Sequence, residues 1–223
     1  MAAEDGNGRT HRRCRYDRAG TGPDLAAIKT TVQTDGKENV ISGPKTFISN
    51  GQLANLVCVV ATTDLGVGAR GISLLMVETD HADGFRRGRN LDRIGCEAQD
   101  TSELFFDEVR VPATNLLGLA EGKGFRQLTA KLAKERLTIA LQAVATMGRA
   151  FEHTIPYVKD REVFGQKLIE FQNTQFKLAE CKTTAAVIKV LCNCCLGLLL
   201  DGKLDANTAV MASYWGQRLK TMS

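Results

Sequence analysis

The sequence predicts a multi-domain α+β fold, with strands in its first half and helices in its second. Three observations predict it. Short apolar runs of strand length, bounded by turn residues, follow one another between residues 40 and 111. From residue 125 onward, apolar residues recur at helical spacing. Strands and helices do not alternate, which argues against the βα units of a parallel α/β sheet.

The chain has 223 residues, enough for one large or two small domains with a real core. Its 43% hydrophobic and 24% charged residues are ordinary for a globular protein. A formal charge of +4, with basic residues scattered outside the N-terminal region, is too mild to imply a nucleic-acid partner. The most apolar run, residues 187–200, is interrupted by Lys189 and Asn193, so no membrane span is expected. Seven cysteines are present, three of them in the Cys192-Asn-Cys-Cys195 cluster. That spacing is not the paired C-x-x-C of a zinc site, and buried thiols in a reducing compartment are the expectation.

Residues 1–24 contain no Leu, Ile, Val or Phe and carry the basic cluster Arg12-Arg-Cys-Arg15. Such a segment cannot bury a core and is expected to be disordered. It lacks the apolar stretch of a secretory signal. Glu4 and Asp5, with no amphipathic helix, also argue against a transit peptide. Strands are expected over residues 40–49, 56–61, 72–77 and 104–111, and together they point to a β-barrel or sandwich. Asn50-Gly51 reads as a hairpin turn. Gly66-Val-Gly-Ala-Arg-Gly71 matches a dinucleotide fingerprint, but a strand rather than a helix follows it, so a glycine-rich loop between strands is expected.

A long helix should start near Phe125. Leu128, Leu132, Ile139, Ala143 and Met147 lie on one face, and Leu137, Leu141 and Val144 on a second, which implies burial on most sides. Pro156 should end or kink it. A second helix is expected over residues 172–200, stopped by Asp201-Gly202, and a third from near Asp205 to the last residue.

Glu135 stands out on the first helix, in register with Leu132 and Ile139 on what reads as an apolar face. It could form an ion pair with Lys131 at a half-exposed edge. It could instead serve as a general base in an apolar pocket, where desolvation makes a carboxylate a better proton acceptor. Phe47 and Ser49 alternate with Ile48, which would place a ring and a hydroxyl on one strand face. Arg161, Phe164 and Gln172 could hold an anion and a planar group, or Arg161 could pair with Asp160 or Glu162 or cap its helix. The three histidines, His11, His81 and His153, have no spacing that supports a nucleophilic triad.

Several segments follow one another in order: Asp24-Leu-Ala-Ala-Ile-Lys-Thr-Thr31, Gly43-Pro-Lys-Thr-Phe-Ile-Ser-Asn-Gly51, Gly71-Ile-Ser-Leu-Leu75, the run from Glu103 to Gly118, Gly122-Lys-Gly-Phe125, Glu135-Arg-Leu137, Arg161-Glu-Val-Phe-Gly165 and Phe171-Gln172. This series, over residues 22–223, resembles the FAD-dependent acyl-CoA dehydrogenases. The resemblance implies a middle β-barrel domain over residues 22–118 and part of a C-terminal four-helix bundle over residues 119–223. It leaves residues 1–21 as a non-matching tail and implies that the family's N-terminal helical domain is missing.

Leu178-Ala-Glu-Cys-Lys-Thr183, Lys203-Leu-Asp205 and Met211-Ala-Ser-Tyr-Trp215 resemble the long-chain and isovaleryl branch. In that branch the catalytic carboxylate lies in the Glu-Arg-Leu segment, which Glu135 matches. By the same resemblance, Phe47, Ile48 and Ser49 would contact the flavin ring. Arg161, Phe164, Phe171 and Gln172 would reach the diphosphate and adenosine of FAD bound mainly to a neighbouring subunit of a homotetramer. Lys134 and Arg136 would contact the substrate.

The implied reaction is α,β-dehydrogenation of an acyl-CoA thioester, with electrons passed to an electron-transfer flavoprotein. The thioester oxygen would be held by the backbone N–H of the catalytic glutamate and a ribityl hydroxyl of the flavin. An acyl-CoA oxidase is a weaker alternative, and a bacterial cytoplasm is expected over a mitochondrial matrix.

The sequence departs from the family before Leu25. Asp17-Arg-Ala-Gly-Thr-Gly-Pro-Asp24 replaces the usual segment, and Pro23 stands where the family has a substrate-contacting serine. The glycine-rich FAD-contacting run of the last bundle helices is not found. The expectation is a gene product truncated at both ends or frame-shifted, and sequencing the source locus tests it. A non-catalytic remnant or assembly subunit that binds FAD poorly is therefore the alternative function.

Overall fold

The computed structural model describes residues 12–15, 24, 27–95 and 97–220. In chain order the elements are β1 (Arg12–Arg15), β2 (Thr31–Thr34), β3 (Glu38–Ser49), β4 (Leu56–Thr62), β5 (Ile72–Glu78), β6 (Phe85–Asn90), β7 (Thr101–Pro112), α1 (Gly124–Asp160), β8 (Glu162–Val163), β9 (Gln166–Lys167), α2 (Gln172–Leu200) and α3 (Ala206–Lys220). The chain divides into two compact units, Met1–Leu128 and Thr129–Ser223.

The first unit is one seven-stranded sheet ordered β1-β4-β2-β3-β7-β6, with β5 on the other side of β4. β4 and β5 form an antiparallel ladder from Leu56↔Glu78 to Thr62↔Ile72. Val32, Ile41, Ile48, Val57, Val59, Leu75, Val77, Leu104, Phe106 and Val109 share one buried core, with Phe85 packed on it, so the sheet wraps around its own interior. Among the described residues no ladder joins β5 to β6. Arg87 of β6 bridges that side instead: its Nη2 donates to Ala54 O at 2.9 Å and Thr79 Oγ1 at 3.0 Å. A second core, of Ile28, Cys58, Val60, Ile72, Leu74 and Leu128, covers the outer face of β4 and β5. These two strands are buried on both faces, which is why they read as unbroken apolar runs rather than alternating ones.

Several expectations change here. Arg12–Arg15, expected to be disordered, forms β1 and pairs in parallel with the first half of β4. The edge of β4 presents free backbone groups that a strand can satisfy whatever its side chains. Pro23 and most of the N-terminal segment lie outside the described residues. Asn50-Gly51 is not a two-residue hairpin, because β3 pairs with β2 and β7 rather than with the strand that follows it. Residues 66–71 join antiparallel strands as a 3-10 turn, capped by Asp64, whose Oδ1 accepts from Gly66 N at 2.7 Å. The dinucleotide fingerprint has no helix behind it. β2 and β6 escaped the sequence reading: β2 is short, and β6 (Phe-Arg-Arg-Gly-Arg-Asn) carries a single apolar residue.

In the second unit α1, α2 and α3 enclose a core of Leu137, Ala140, Met147, Ile188, Cys192, Cys195 and Ala212. Gly216 packs closely on α1, where an added Cβ would lie 3.3 Å from the Ala140 Cα. α1 runs 37 residues and continues through Pro156 to Asp160. Proline removes one donor, but so near the helix end the remaining turn is held by later bonds. α2 stops as a Schellman motif: Gly202 has φ +70, Lys203 N donates to Leu198 O and Gly202 N to Leu199 O. Asp205 caps α3, its Oδ1 accepting from Asn207 N and Thr208 N.

α1 is not buried on most sides within its unit. Ile139 and Leu141 are exposed, while Leu137, Ala140, Ala143 and Met147 are buried. By length and composition α2 could cross a membrane, against the sequence expectation, because Val, Leu and Cys outweigh its few polar residues. In this fold its buried residues Ile188, Cys192 and Cys195 serve as core.

Candidate active site

The segment expected to meet the flavin ring sits at the end of β3. The β3–β7 register slips between Lys45↔Leu104 and Ile48↔Ser102, which marks a bulge. Phe47 occupies it with φ +59, a left-handed conformation that is costly for an aromatic residue. The bulge breaks the alternation on which the sequence reading relied. Phe47 is 59% exposed, whereas Ile48 is fully buried and Ser49 nearly so, so Phe47 and Ser49 do not share an exposed face. Opposite Ile48 and Ser49 in the ladder stand Ser102 and Thr101. Both of their hydroxyl oxygens are buried without a protein partner. The exposed Phe47 ring offers a face on which a planar heteroaromatic group can stack, while the two hydroxyls lie inside the sheet. Lys45, just upstream, is buried, with its Nζ donating to Val60 O at 2.6 Å.

Glu135 lies in the second unit, eleven residues into α1, and is exposed. This corrects its placement on a buried stripe. Leu137, Ala140 and Met147 define the core face, and at 100° per residue Glu135 falls on the other side of the helix. Lys134 is exposed and Arg136 half-buried beside it. The interior position also corrects the expected oxyanion contact. The N–H of residue 135 is committed to the helical i→i−4 bond, so it is not available to a thioester oxygen.

The third group lies in the connection from α1 to α2. β8 and β9 form a hairpin, Glu162↔Lys167 and Val163↔Gln166. Its two central residues, Phe164 (φ +52) and Gly165 (φ +79), have the positive angles that a type I′ turn requires. Phe164 is 97% exposed at the tip. Arg161 precedes the hairpin and is exposed, and its carbonyl accepts from Leu168 N at 2.9 Å. Phe171 is half-buried and Gln172 exposed, at the N-terminus of α2. Gln175 Nε2 donates to Ile169 O at 3.0 Å and ties the first turn of α2 back to the connection. One short connection therefore carries a guanidinium, an exposed ring and a helix N-terminus, a donor set suited to a diphosphate with an attached base. Phe47 and the 161–172 connection present groups of the kind FAD needs, whereas Ile48, expected beside the flavin ring, turns its side chain into the sheet core.

Beside these groups, Met147, Ala150, Phe151, Thr154, Val158, Asn173, Thr174, Lys177, Leu178 and Cys181 line a cavity of about 310 Å³ between α1 and α2. Cys192 and Cys195 are buried in the helical core, and burial pushes both thiols up from their ordinary value. They are poor nucleophiles. The residue that sequence reading missed is Asp100, which hydrogen-bonds the turn after Ser49 from 48 residues away. No local signal could have found it.

The chain matches the family description "Acyl-CoA dehydrogenase, middle domain" over residues 18–109 and "Acyl-CoA dehydrogenase, C-terminal domain" over residues 122–221. It is 44% identical over 203 residues to the mitochondrial long-chain specific acyl-CoA dehydrogenase of Sus scrofa, covering 90% of this chain and 47% of that protein. It is 34% identical over 201 residues to the mitochondrial short/branched chain specific acyl-CoA dehydrogenase of Rattus norvegicus, covering 90% and 46%. The solved acyl-CoA dehydrogenase of Geobacillus kaustophilus superposes with a TM-score of 0.92 at 41% identity, covering 96% of this chain and 56% of that one. The chain spans about half the length of the relatives it matches.

Proposed function

The chain belongs to the acyl-CoA dehydrogenase family, and from that premise we propose that it serves FAD-dependent α,β-dehydrogenation of acyl-CoA thioesters to trans-2-enoyl-CoA, as in fatty acid β-oxidation. The observation that carries the reading is Glu135 in its Glu-Arg-Leu segment, exposed on α1 where a substrate can reach it. The 44% identity to a long-chain enzyme favours long-chain substrates.

In this reading the Glu135 carboxylate removes the α-proton of the thioester. Bound FAD would supply the acceptor for the hydride that leaves the β-carbon. Lys134 and Arg136 lend positive charge beside Glu135, suited to an anionic substrate. Phe47 and Ser49 would hold the flavin ring, with Ile48 anchoring the segment in the sheet core behind them. Arg161, Phe164, Phe171 and Gln172 would hold the diphosphate and adenosine end of a cofactor bound mainly to another subunit of a homotetramer. Electrons would pass to an electron-transfer flavoprotein. The free cysteines suit a reducing compartment, a bacterial cytoplasm or, as the mitochondrial relatives imply, a mitochondrial matrix.

The exposure of Glu135 also favours a second reading. A base that no apolar pocket encloses needs a cover before it can work efficiently, so the chain as it stands would be a non-catalytic or assembly form. Visible absorption after reconstitution with FAD, followed by a long-chain acyl-CoA, separates the two. Flavin bands that bleach with substrate, and bleach at least about a hundredfold more slowly in Glu135→Gln, support the catalytic reading. A folded protein that takes up no flavin supports the second.

A further inference from the structure

Two residues with side chains hold left-handed backbone within four positions at the end of β3: Phe47 and Asn50, each with φ +59. Asparagine tolerates that conformation, but Phe47 holds it only where the surroundings over-determine it. Ile48, between them, is anchored in the barrel core. Ser49 is fixed opposite Thr101 in the ladder. Gly51 closes the turn, its N–H donating to Ile48 O at 3.2 Å, and a Cβ added there would press on the Ser102 Cβ at 3.0 Å.

The remaining restraint comes from Asp100. Its carbonyl accepts from Asn50 N at 3.2 Å, and its carboxylate Oδ2 accepts from Gln52 N at 2.7 Å. The second bond is short and charge-assisted. Gln52 is held further by its own Nε2, which donates to Gly88 O at 2.9 Å. Thr101, next to Asp100, is tied to β6 by its N–H on Asn90 Oδ1 at 2.9 Å. Asp100 therefore grips both sides of Gly51 from a rigid strand end, and the segment it grips is the one that presents Phe47 and Ser49.

We propose that Asp100 is a positioning residue that holds the Phe47–Ser49 bulge in its flavin-contacting geometry, acting as a hydrogen-bond acceptor rather than as a contact of the cofactor. This rests on the reading above that Phe47 and Ser49 meet the flavin. Without the carboxylate bond the Gln52 N–H is released, although the Asp100 carbonyl still accepts from Asn50 N, and the strained Phe47 can relax toward ordinary extended backbone, which would turn the ring away from its exposed position.

The test compares wild type, Asp100→Ala, Asp100→Asn and Asp35→Ala in the full chain, by FAD titration, the shape of the bound flavin's visible band, and thermal melting. Asp35 is the control because its Oδ1 also accepts from two turn N–H groups, Lys37 and Glu38, each at 2.8 Å, in a turn the flavin reading does not involve. The expected result is that Asp100→Ala weakens FAD binding about tenfold and shifts the visible band, the scale of one lost charge-assisted hydrogen bond. Asp100→Asn, which keeps an acceptor oxygen, should recover most of both. Asp35→Ala should lower the melting temperature and leave flavin binding and band shape as in wild type. If Asp100→Ala does not fold, Asp100→Ser, whose hydroxyl is too short to reach Gln52 N, is read in the same way. Wild-type affinity and band shape in Asp100→Ala would overturn the proposal. So would equal losses of FAD in Asp100→Ala and Asp35→Ala, because the effect would then follow stability alone. If wild type takes up no FAD, the flavin reading itself fails and this proposal goes with it.

Discussion

Phe47 and Phe164 each carry an exposed ring on a left-handed backbone, one in a bulge and one at a hairpin tip. Neither gains burial that would offset the strain, and such outliers point to a job outside the chain's own packing. For Phe164 the two effects can be separated. Asparagine tolerates the left-handed region and Asn-Gly is the favoured type I′ pair, so Phe164→Asn should raise stability by about 0.5–1 kcal/mol. The same change should weaken FAD retention, because the ring would be gone. Thermal melting and flavin stoichiometry, measured on one preparation, check both halves. Full FAD retention in the variant would show that the ring does not serve the cofactor, and lost stability would show that it serves packing. At this scale the residue types were legible but their orientation was not. Phe47 and Ser49 read as one face because strand alternation was assumed, and a bulge is set by the β7 partner rather than by the residues in it. Glu135 read as lying on an apolar face, in a pocket or at a half-exposed edge, because Leu132 and Ile139 flank it, yet the helix turns Leu137 and Ala140 inward instead.

Helix ends were the most legible elements. Asp201-Gly202 and Asp205 announced the end of α2 and the start of α3, since caps act within one turn and their chemistry is local. Asp205 also gives α3 a pH dependence. The Thr208 hydroxyl, then the backbone N–H groups of Thr208 and Asn207, hold its carboxyl below the ordinary value of 3.8. A depressed folded value means the stabilisation is complete above 3.8 and is lost as pH falls through the lower, folded value. Circular dichroism melts should therefore show helix stability falling below that pH, with a shallower fall in Asp205→Ala, which starts less stable by a few degrees. Identical acid profiles in the two proteins would remove Asp205 as the cause. Pro156 shows the opposite limit of element reading. A proline rule foretold an end or a kink, and the helix does not end there, because one missing donor near a helix end does not outweigh the packing of a 37-residue helix.

Each of the two units has its own apolar core, so each should respond to its own core substitutions. Leu137 is almost fully buried among Met147, Ile188, Cys192 and Cys195. Leu137→Ala should cost about 2–5 kcal/mol, from lost transfer energy and the cavity left behind. Amide exchange should then accelerate in α1, α2 and α3, while Ile41 and Leu104 in the sheet core keep their protection. Uniform acceleration across both units would mean that the cores are not energetically separate. By itself the sequence determined the strand-then-helix order, the extents of the main strands and of α2, the helix caps and the family. All of these follow from short-range periodicity, turn chemistry or ordered motifs. Only the tertiary structure decided that β3 pairs with β7, that Arg12–Arg15 lies along β4, that Phe47 turns out of its strand, that Glu135 faces away from its core, and that Asp100 grips the turn after Ser49. The physical reason is common to all five. Periodicity reports which face of an element is apolar, but which neighbour meets that face, and in what register, is settled by contacts between residues far apart in the chain.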